Sequence, residues 1–223
     1  MTQCQREATL EAYEHWAPLY EPVAHNPLMR VEEEAMRHAW PEVKGRRALD
    51  LACGTGRYAR LLADSGAAHV AALDFSAGML RRASCTTRVR ANMTQLPFVA
   101  DAFDVVICGL AIGHATTLSA WMTEVSRVLA DGGTVLYSDF HPEAAKAGLT
   151  RSFKDQNDRT HTVPHRCHSA AAQESAAIEA GLKVTAVREV RVGIELREPF
   201  ADSEEFYRRW HGLPIVLVVS ACK

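Results

Sequence analysis

The residues best suited to chemistry lie in "LDLACGTGRYA", Leu49 to Ala59. Gly54, Gly56 and Ala59 fit the spacing G-x-G-x-x-[GA], which lets backbone approach a ligand at a strand–turn–helix junction. Dinucleotides use this pattern, but Asp50 sits four residues before Gly54. A pyrophosphate at the helix N-terminus would bring anionic oxygens near that carboxylate, and like charges repel strongly in a low-dielectric cleft. An ammonium or sulfonium group gains there instead. S-adenosylmethionine carries both and has no phosphate in its amino-acid tail. The alternative reading is that Asp50 only caps the turn through backbone N–H groups. Asp74 follows Gly54 by 20 residues, the place of an acid that holds ribose hydroxyls for either ligand.

Two histidines follow strand ends. His114 lies six residues after Cys108, and His141 comes directly after "SDF". Each is a candidate general base; each could instead pack or cap a loop. The segment "HTVPHRCH", residues 161–168, gathers His161, His165, Cys167 and His168. Imidazole and thiolate are zinc ligands. Pro164, however, disfavours helical geometry between His161 and His165, and no acid adjoins the imidazoles. We therefore expect no metal. The segment reads as a mobile lid over the acceptor pocket, with His165, Arg166 or His168 touching substrate.

The pattern of elements around these residues is regular. Residues 5–20 read as a helix, with Leu10, Tyr13, Ala17 and Tyr20 at helical spacing. A second helix follows Asn26–Pro27. Strands are predicted at 47–52, 69–73, 89–93, 104–108 and 134–139, and helices at 57–65, 76–83 and 118–129, with Ser76 as an N-cap. This βαβ alternation implies a parallel sheet covered on both faces. A helix over 169–180, strands over 182–196 and 215–221, and a helix near 203–210 complete the chain. The expected fold is α/β, Rossmann-like and doubly wound, as one domain. It divides into an N-terminal helical cap (1–42), a cofactor-binding core (43–141), a lid and helix (142–181) and C-terminal strands (182–223).

Composition narrows the function classes. The formal net charge of the 223 residues is −2, and no basic stripe marks a nucleic-acid surface. Six cysteines form no C-x-x-C pair, which fits free thiols in a reducing cytoplasm. The N-terminus lacks an apolar signal core, and the run Ile215–Val219 is too short to span a bilayer. A homodimer is compatible with this composition.

Beyond the first motif, "VAALDFSAGMLRRA", "ANMTQLPFVADAFDVVICGLAIGHA" and "EVSRVLADGGTVLYSDFHP" follow in order. Together with "ALDLACGTGRYARLLADSGA" they resemble the class I S-adenosylmethionine-dependent methyltransferases. "YEHWAPLYEP" is similar to the capping helix of small-molecule members, and "LPIVLVVSACK" to their terminal antiparallel strand of a seven-stranded sheet. The resemblance implies S-adenosylmethionine as cofactor and a small-molecule methyl acceptor, methylated on O or N. It places Asp50, Ala52, Gly54, Gly56, Tyr58, Asp74, Phe75, Met79, Met93 and Gly109 around the cofactor. Tyr13 or Tyr20 would close over it; we assign Tyr20 to the cofactor and Tyr13 to the substrate. The sequence departs from the family at Asn92, where many members carry an acid that accepts the adenine amino group. Its amide oxygen could accept the same bond without charge. Two other readings stay open: a fold that binds the cofactor but acts as a non-methylating cyclase or regulatory subunit, and a dehydrogenase.

Overall fold

A computed structural model describes residues 3–85, 87–115, 117–193 and 203–223. The chain begins with α1 (Gln3–Trp16), a short 3₁₀ turn (Ala17–Leu19) and α2 (Pro27–His38). Asn26 starts α2 as its spacing with Pro27 suggests: its side-chain oxygen accepts the Met29 N–H at 2.9 Å. There follow β1 (Arg47–Leu51), α3 (Arg57–Asp64), β2 (His69–Asp74), α4 (Ala77–Arg82), β3 (Thr87–Arg90), β4 (Phe103–Cys108), α5 (Leu118–Val128) and β5 (Leu129–Phe140). Ser76 caps α4 by accepting the Met79 N–H.

These strands enter a seven-stranded sheet, completed by β8 (Lys183–Arg191) and β9 (Pro214–Cys222), in the order β3-β2-β1-β4-β5-β9-β8. The first five run parallel; β9 pairs antiparallel with both β5 and β8. Val105, Val106, Ile107 and Cys108 of β4 are all fully buried, as a central strand covered on both faces requires. On one face Leu49, Val106 and Tyr137 pack with Trp121, Met122 and Val125 of α5 and Ala177 of α7 (Ala170–Glu179). On the other, Ala48, Ile107 and Leu136 pack with Met36 of α2, Leu62 of α3 and Trp210 of α8 (Ser203–Trp210). Strand order reverses between β1 and β4, which opens a crevice at their carboxyl ends.

Three expectations shift. The third strand is Thr87–Arg90 rather than 89–93, because the chain turns away after its pairing with β2 ends at Asp74–Arg90. The fifth begins at Leu129, since Leu129 already pairs with Phe103 ahead of the Gly132–Gly133 irregularity. Of the strand predicted over 182–196, residues 194–196 lie outside the described residues.

Residues after β5 form α6 (Pro142–Lys146) and a two-stranded hairpin of β6 (Ser152–Lys154) and β7 (Thr160–Thr162). The hairpin lies against α1: Phe153 stacks on Trp16 with centroids 4.8 Å apart and planes 7° from parallel. Behind it, the Arg166 N–H donates to the Gly113 carbonyl at 2.9 Å. A Cβ on Gly113 would sit 2.2 Å from the Arg166 carbonyl oxygen, so only glycine lets the segment lie this close. All six cysteines are free. Among the described residues no helix is long and apolar enough to cross a membrane.

Candidate active site

A concave cavity occupies the crevice, open to solvent at its mouth, the usual place for a small-molecule site on such a sheet. Its walls come from the segments that leave the strands: Ala52 and Gly54 after β1, Asp74 and Phe75 after β2, Asn92 and Met93 after β3, Gly109 and Leu110 after β4. Met79 of α4, Leu10 and Tyr13 of α1, Tyr20, and Arg151 from the start of the hairpin enclose the rest. Two non-glycine residues here have left-handed backbone, Ala52 (φ 59°) and Leu110 (φ 53°). That conformation costs about 1–2 kcal/mol for an L-residue, and both lie at the strand ends that flank the crevice. Gly109 is forced by a close approach: a Cβ would meet the Tyr58 ring at 2.3 Å.

Asp74 holds the turn that the glycines begin. One carboxylate oxygen accepts the Gly54 N–H and the other the Ser76 N–H, each at 2.8 Å. Burial raises its pKa, against those amide bonds. A carboxylate has about four acceptor positions, so lone pairs remain on the cavity wall for ligand hydroxyls. The Gly56 N–H is likewise committed, to the Cys53 carbonyl at 2.9 Å. Both glycine amides are therefore spent within the protein, and the turn has no free cradle for a pyrophosphate. This discriminates against a dinucleotide where Asp50 does not.

Asp50 is the first correction. It is 1% exposed and lies beneath the turn, where one oxygen accepts the Ala59 N–H at 2.6 Å. It caps α3 instead of lining the cavity, and burial pushes its pKa up to about 7. Gly56 stands one step behind the wall as the left-handed N-cap of α3. Tyr58 also points away, into the core, donating its hydroxyl to Glu32 Oε1 at 2.7 Å. His141 is a second correction: it caps α6, its Nδ1 accepting the Glu143 N–H, and its Nε2 lies 3.4 Å from Glu189 on β8. It does not reach the cavity because the chain turns into α6 at Pro142. Asn92 does line the cavity, but its amide oxygen accepts both the N–H and the hydroxyl of Thr94.

His114 lies in the wall. Its Nε2 is 2.9 Å from the Tyr13 hydroxyl, and Arg151 Nη1 donates to that same hydroxyl oxygen at 2.7 Å. Arg151 has no acceptor capacity, so the satisfied arrangement runs Arg151 to Tyr13 to His114, with the phenol proton donated to Nε2. Burial, with the Arg151 charge, holds the His114 pKa well below its ordinary value, so the imidazole is neutral. Arg151 Nη2 also donates to the Leu110 carbonyl, and its guanidinium lies 4.7 Å over the Phe140 ring. His165 packs behind His114, with ring centroids 6.4 Å apart, and against Phe140 at 4.7 Å. Neither it, exposed Arg166, nor His168 lines the cavity.

Sequence reasoning missed Arg151, Arg57 and Glu14. Arg57 lines the cavity while bonding Glu32 Oε2 at 2.7 Å and Glu33 Oε2 at 3.2 Å. Glu14 ties α1 to α4 by accepting from Ser76 Oγ and the Gly78 N–H. Their hydrogen-bond partners are 24 or more residues away, so no local motif marks them.

A family profile described as a methyltransferase domain matches residues 49–137, the span from β1 into β5. A demethylmenaquinone methyltransferase from Clavibacter sepedonicus is 40% identical over 125 residues, which are 53% of this chain and 49% of that protein. A malonyl-[acyl-carrier protein] O-methyltransferase from Enterobacter lignolyticus is 32% identical over 155 residues, 66% of this chain and 61% of that one. The chain thus spans about half to three fifths of the length of these relatives. A solved S-adenosylmethionine-dependent methyltransferase from Mesorhizobium loti superposes with a TM-score of 0.69 at 25% identity, over 86% of this chain and 98% of that one. With the strand order, the acid at the end of β2 and the closed glycine turn, these matches make residues 49–137 a methyltransferase domain, carried on the fold of S-adenosylmethionine-dependent methyltransferases.

Proposed function

We propose that the protein methylates an O or N atom of a small molecule. The observation that carries this reading is one cavity bearing both the Asp74 carboxylate and the Arg151–Tyr13–His114 network. Asp74 fits the ribose hydroxyls of S-adenosylmethionine; Phe75, Met79 and Met93 fit flat and apolar faces. The Asn92 oxygen is taken, so what Asn92 offers an adenine ring is its NH₂ donor. When bound, the cofactor supplies a methyl group activated by a sulfonium. Relatives named for demethylmenaquinone and for malonyl-[acyl-carrier protein] support a small or carrier-linked acceptor.

This chain's residues then position rather than react. An acceptor O–H or N–H that takes the place of the Tyr13 hydroxyl at His114 Nε2 donates its hydrogen there and fixes the direction of its lone pair. A neutral imidazole of depressed pKa acts here as a hydrogen-bond acceptor. For an acceptor that is already anionic, such as a carboxylate, Arg151 rather than His114 supplies the pairing group; α1 with the hairpin excludes water.

Asp74→Ala should weaken S-adenosylmethionine binding by roughly 1–3 kcal/mol, the scale of buried hydrogen bonds to a charged group; calorimetry reads this directly. His114→Ala should lower kcat by up to about 100-fold, the scale of a misplaced reactant, with cofactor affinity nearly unchanged. His141→Ala should leave turnover intact and reduce stability by about 1 kcal/mol through loss of a cap. A His141 variant with the larger loss of turnover would reverse these roles. The proposal itself is tested by screening small hydroxylated, carboxylated and amine metabolites for transfer of a labelled methyl group. Conversion of a compound without cofactor consumption would overturn it in favour of a non-methylating enzyme.

A further inference from the structure

We propose that His15, Asp155 and His161 form a binding site for a divalent transition metal of the zinc type, which clamps α1 to the β6–β7 hairpin above the cavity. The site lies outside the cavity lining and does not depend on the methyl-transfer reading.

The three donors come from two distant parts of the chain. His15 is in the last turn of α1, Asp155 directly follows β6, and His161 is central in β7. Asp155 Oδ2 lies 2.8 Å from His161 Nε2 and 3.7 Å from His15 Nε2, and all three ligand atoms fall within 4.8 Å of one another. The acid that "HTVPHRCH" lacked in sequence is supplied by Asp155, in the turn that follows the partner strand of the hairpin. The other residues of that segment take no part: His165 packs on Phe140, and the site uses neither Cys167 nor His168.

Asp155 and His161 are held in orientation before any ion arrives. Asp155 Oδ1 accepts the N–H groups of Asn157 at 2.8 Å and Arg159 at 3.0 Å, so the hairpin turn fixes the carboxylate and leaves Oδ2 facing both imidazoles. Backbone support of this kind is what orients ligating carboxylates. The His161 ring stacks on Phe153 at 5.1 Å and 19°, and the His15 ring packs on the same phenyl at 5.8 Å. Phe153 is in turn pinned by Trp16.

The donor set decides the ion. Two imidazoles and one carboxylate suit zinc, cobalt, nickel or copper, whereas magnesium and calcium prefer an all-oxygen shell. Tetrahedral bonds of about 2.0–2.2 Å set ligand atoms about 3.3–3.5 Å apart. The observed separations, from 2.8 Å up to 4.8 Å, bracket that value, and His15, with a side chain 52% exposed, is free to move closer to the other two donors. Three protein ligands leave a coordination position for water. The consequence would be a metal-fixed roof: α1 carries Tyr13 and the hairpin segment carries Arg151, so the ion would hold together the two elements whose side chains meet in the cavity.

The test uses the full chain purified without a metal-affinity tag and stripped with chelator. It is titrated with Co²⁺ and followed by visible absorption, with circular dichroism as a control for folding. The expected result is one equivalent of Co²⁺ with the intense bands of a four- or five-coordinate ion, displaced by Zn²⁺. His15→Ala and His161→Ala should each weaken binding at least tenfold, while His165→Ala and His168→Ala leave it unchanged. Zn²⁺ should also raise Tm of the wild type and not of the first two variants. Absence of a stoichiometric cobalt spectrum, or a spectrum that survives in both His15→Ala and His161→Ala, would overturn the proposal.

Discussion

Glu32→Ala should lower the free energy of unfolding by about 3–5 kcal/mol, the scale of removing one partner from a buried ion pair. Glu32 is fully buried, yet it receives three donors: Arg57 Nη2 at 2.7 Å, the Tyr58 hydroxyl at 2.7 Å and the Ser138 hydroxyl at 2.6 Å. Ser138 Oγ in turn accepts the Leu110 N–H at 2.9 Å. One carboxylate thus joins α2, α3, β5 and the strained end of β4 beneath the cavity. Its removal leaves Arg57 with Glu33, at the longer 3.2 Å, and the Met29 carbonyl at 3.4 Å, and it orphans two hydroxyl donors. For a protein whose total stability is on the order of 5–15 kcal/mol, urea unfolding should show an early midpoint or a largely unfolded population. Glu32→Gln keeps the acceptor oxygen and should lose less. A Glu32→Ala midpoint within about 1 kcal/mol of wild type would show that the network contributes little.

Asp139 should contribute stability that falls as pH rises from about 4 to about 7, against His114 and His165, whose depressed pKa values act in the opposite direction. Asp139 is fully buried and, among the described residues, neither oxygen completes a hydrogen bond. Burial pushes its pKa up to about 7, opposed by the Arg151 charge and the nearby Phe140 and Gly113 amides. The folded state then holds a proton that the unfolded chain, with an aspartate near 3.9, has released. Stability is fully present below the unfolded value and is lost as pH climbs to the folded one. A displacement of this size corresponds to something on the order of 4 kcal/mol by pH 8. Asp139→Asn should therefore be nearly neutral at pH 4 and stabilising at pH 8. Asp50, also raised to about 7, acts in the same direction. Unfolding midpoints of wild type and Asp139→Asn across pH 4–8 measure this; parallel curves would exclude Asp139 as the source.

The fold was legible where local chemistry decides it. Ser76 and Asn26 are capping residues whose partners lie three positions on, and β4 reads as a doubly buried strand from its unbroken apolar run. Asp74 was legible for the same reason, because the acid after the second strand stands at a fixed distance from the glycine turn. Asp50 shows the limit of that reasoning: sequence placed a carboxylate near the ligand, but whether it faces the cavity or the helix end depends on a rotamer, and the Ala59 N–H takes it. Glu32 sits in the run "VEEEAM", which reads as a solvated helix face until Arg57, Tyr58 and Ser138 are brought against it. Arg151 is one of three arginines, with Arg159 and Arg166, in a region without periodicity, and nothing local singles it out. The hairpin around it was missed although "KDQNDRTHT" carries a turn signal, because strands of three residues give too short an alternation to read.

Calorimetric titration of the untagged full chain with S-adenosylmethionine, its demethylated product and NAD tests the cofactor assignment most directly. Saturable one-to-one binding of the first two, weakened by Asp74→Ala, with no heat from NAD, is the expected result. Tight NAD binding with none for S-adenosylmethionine would contradict it, and would mean that the Gly54 and Gly56 amides can leave Asp74 and Cys53 to receive a pyrophosphate.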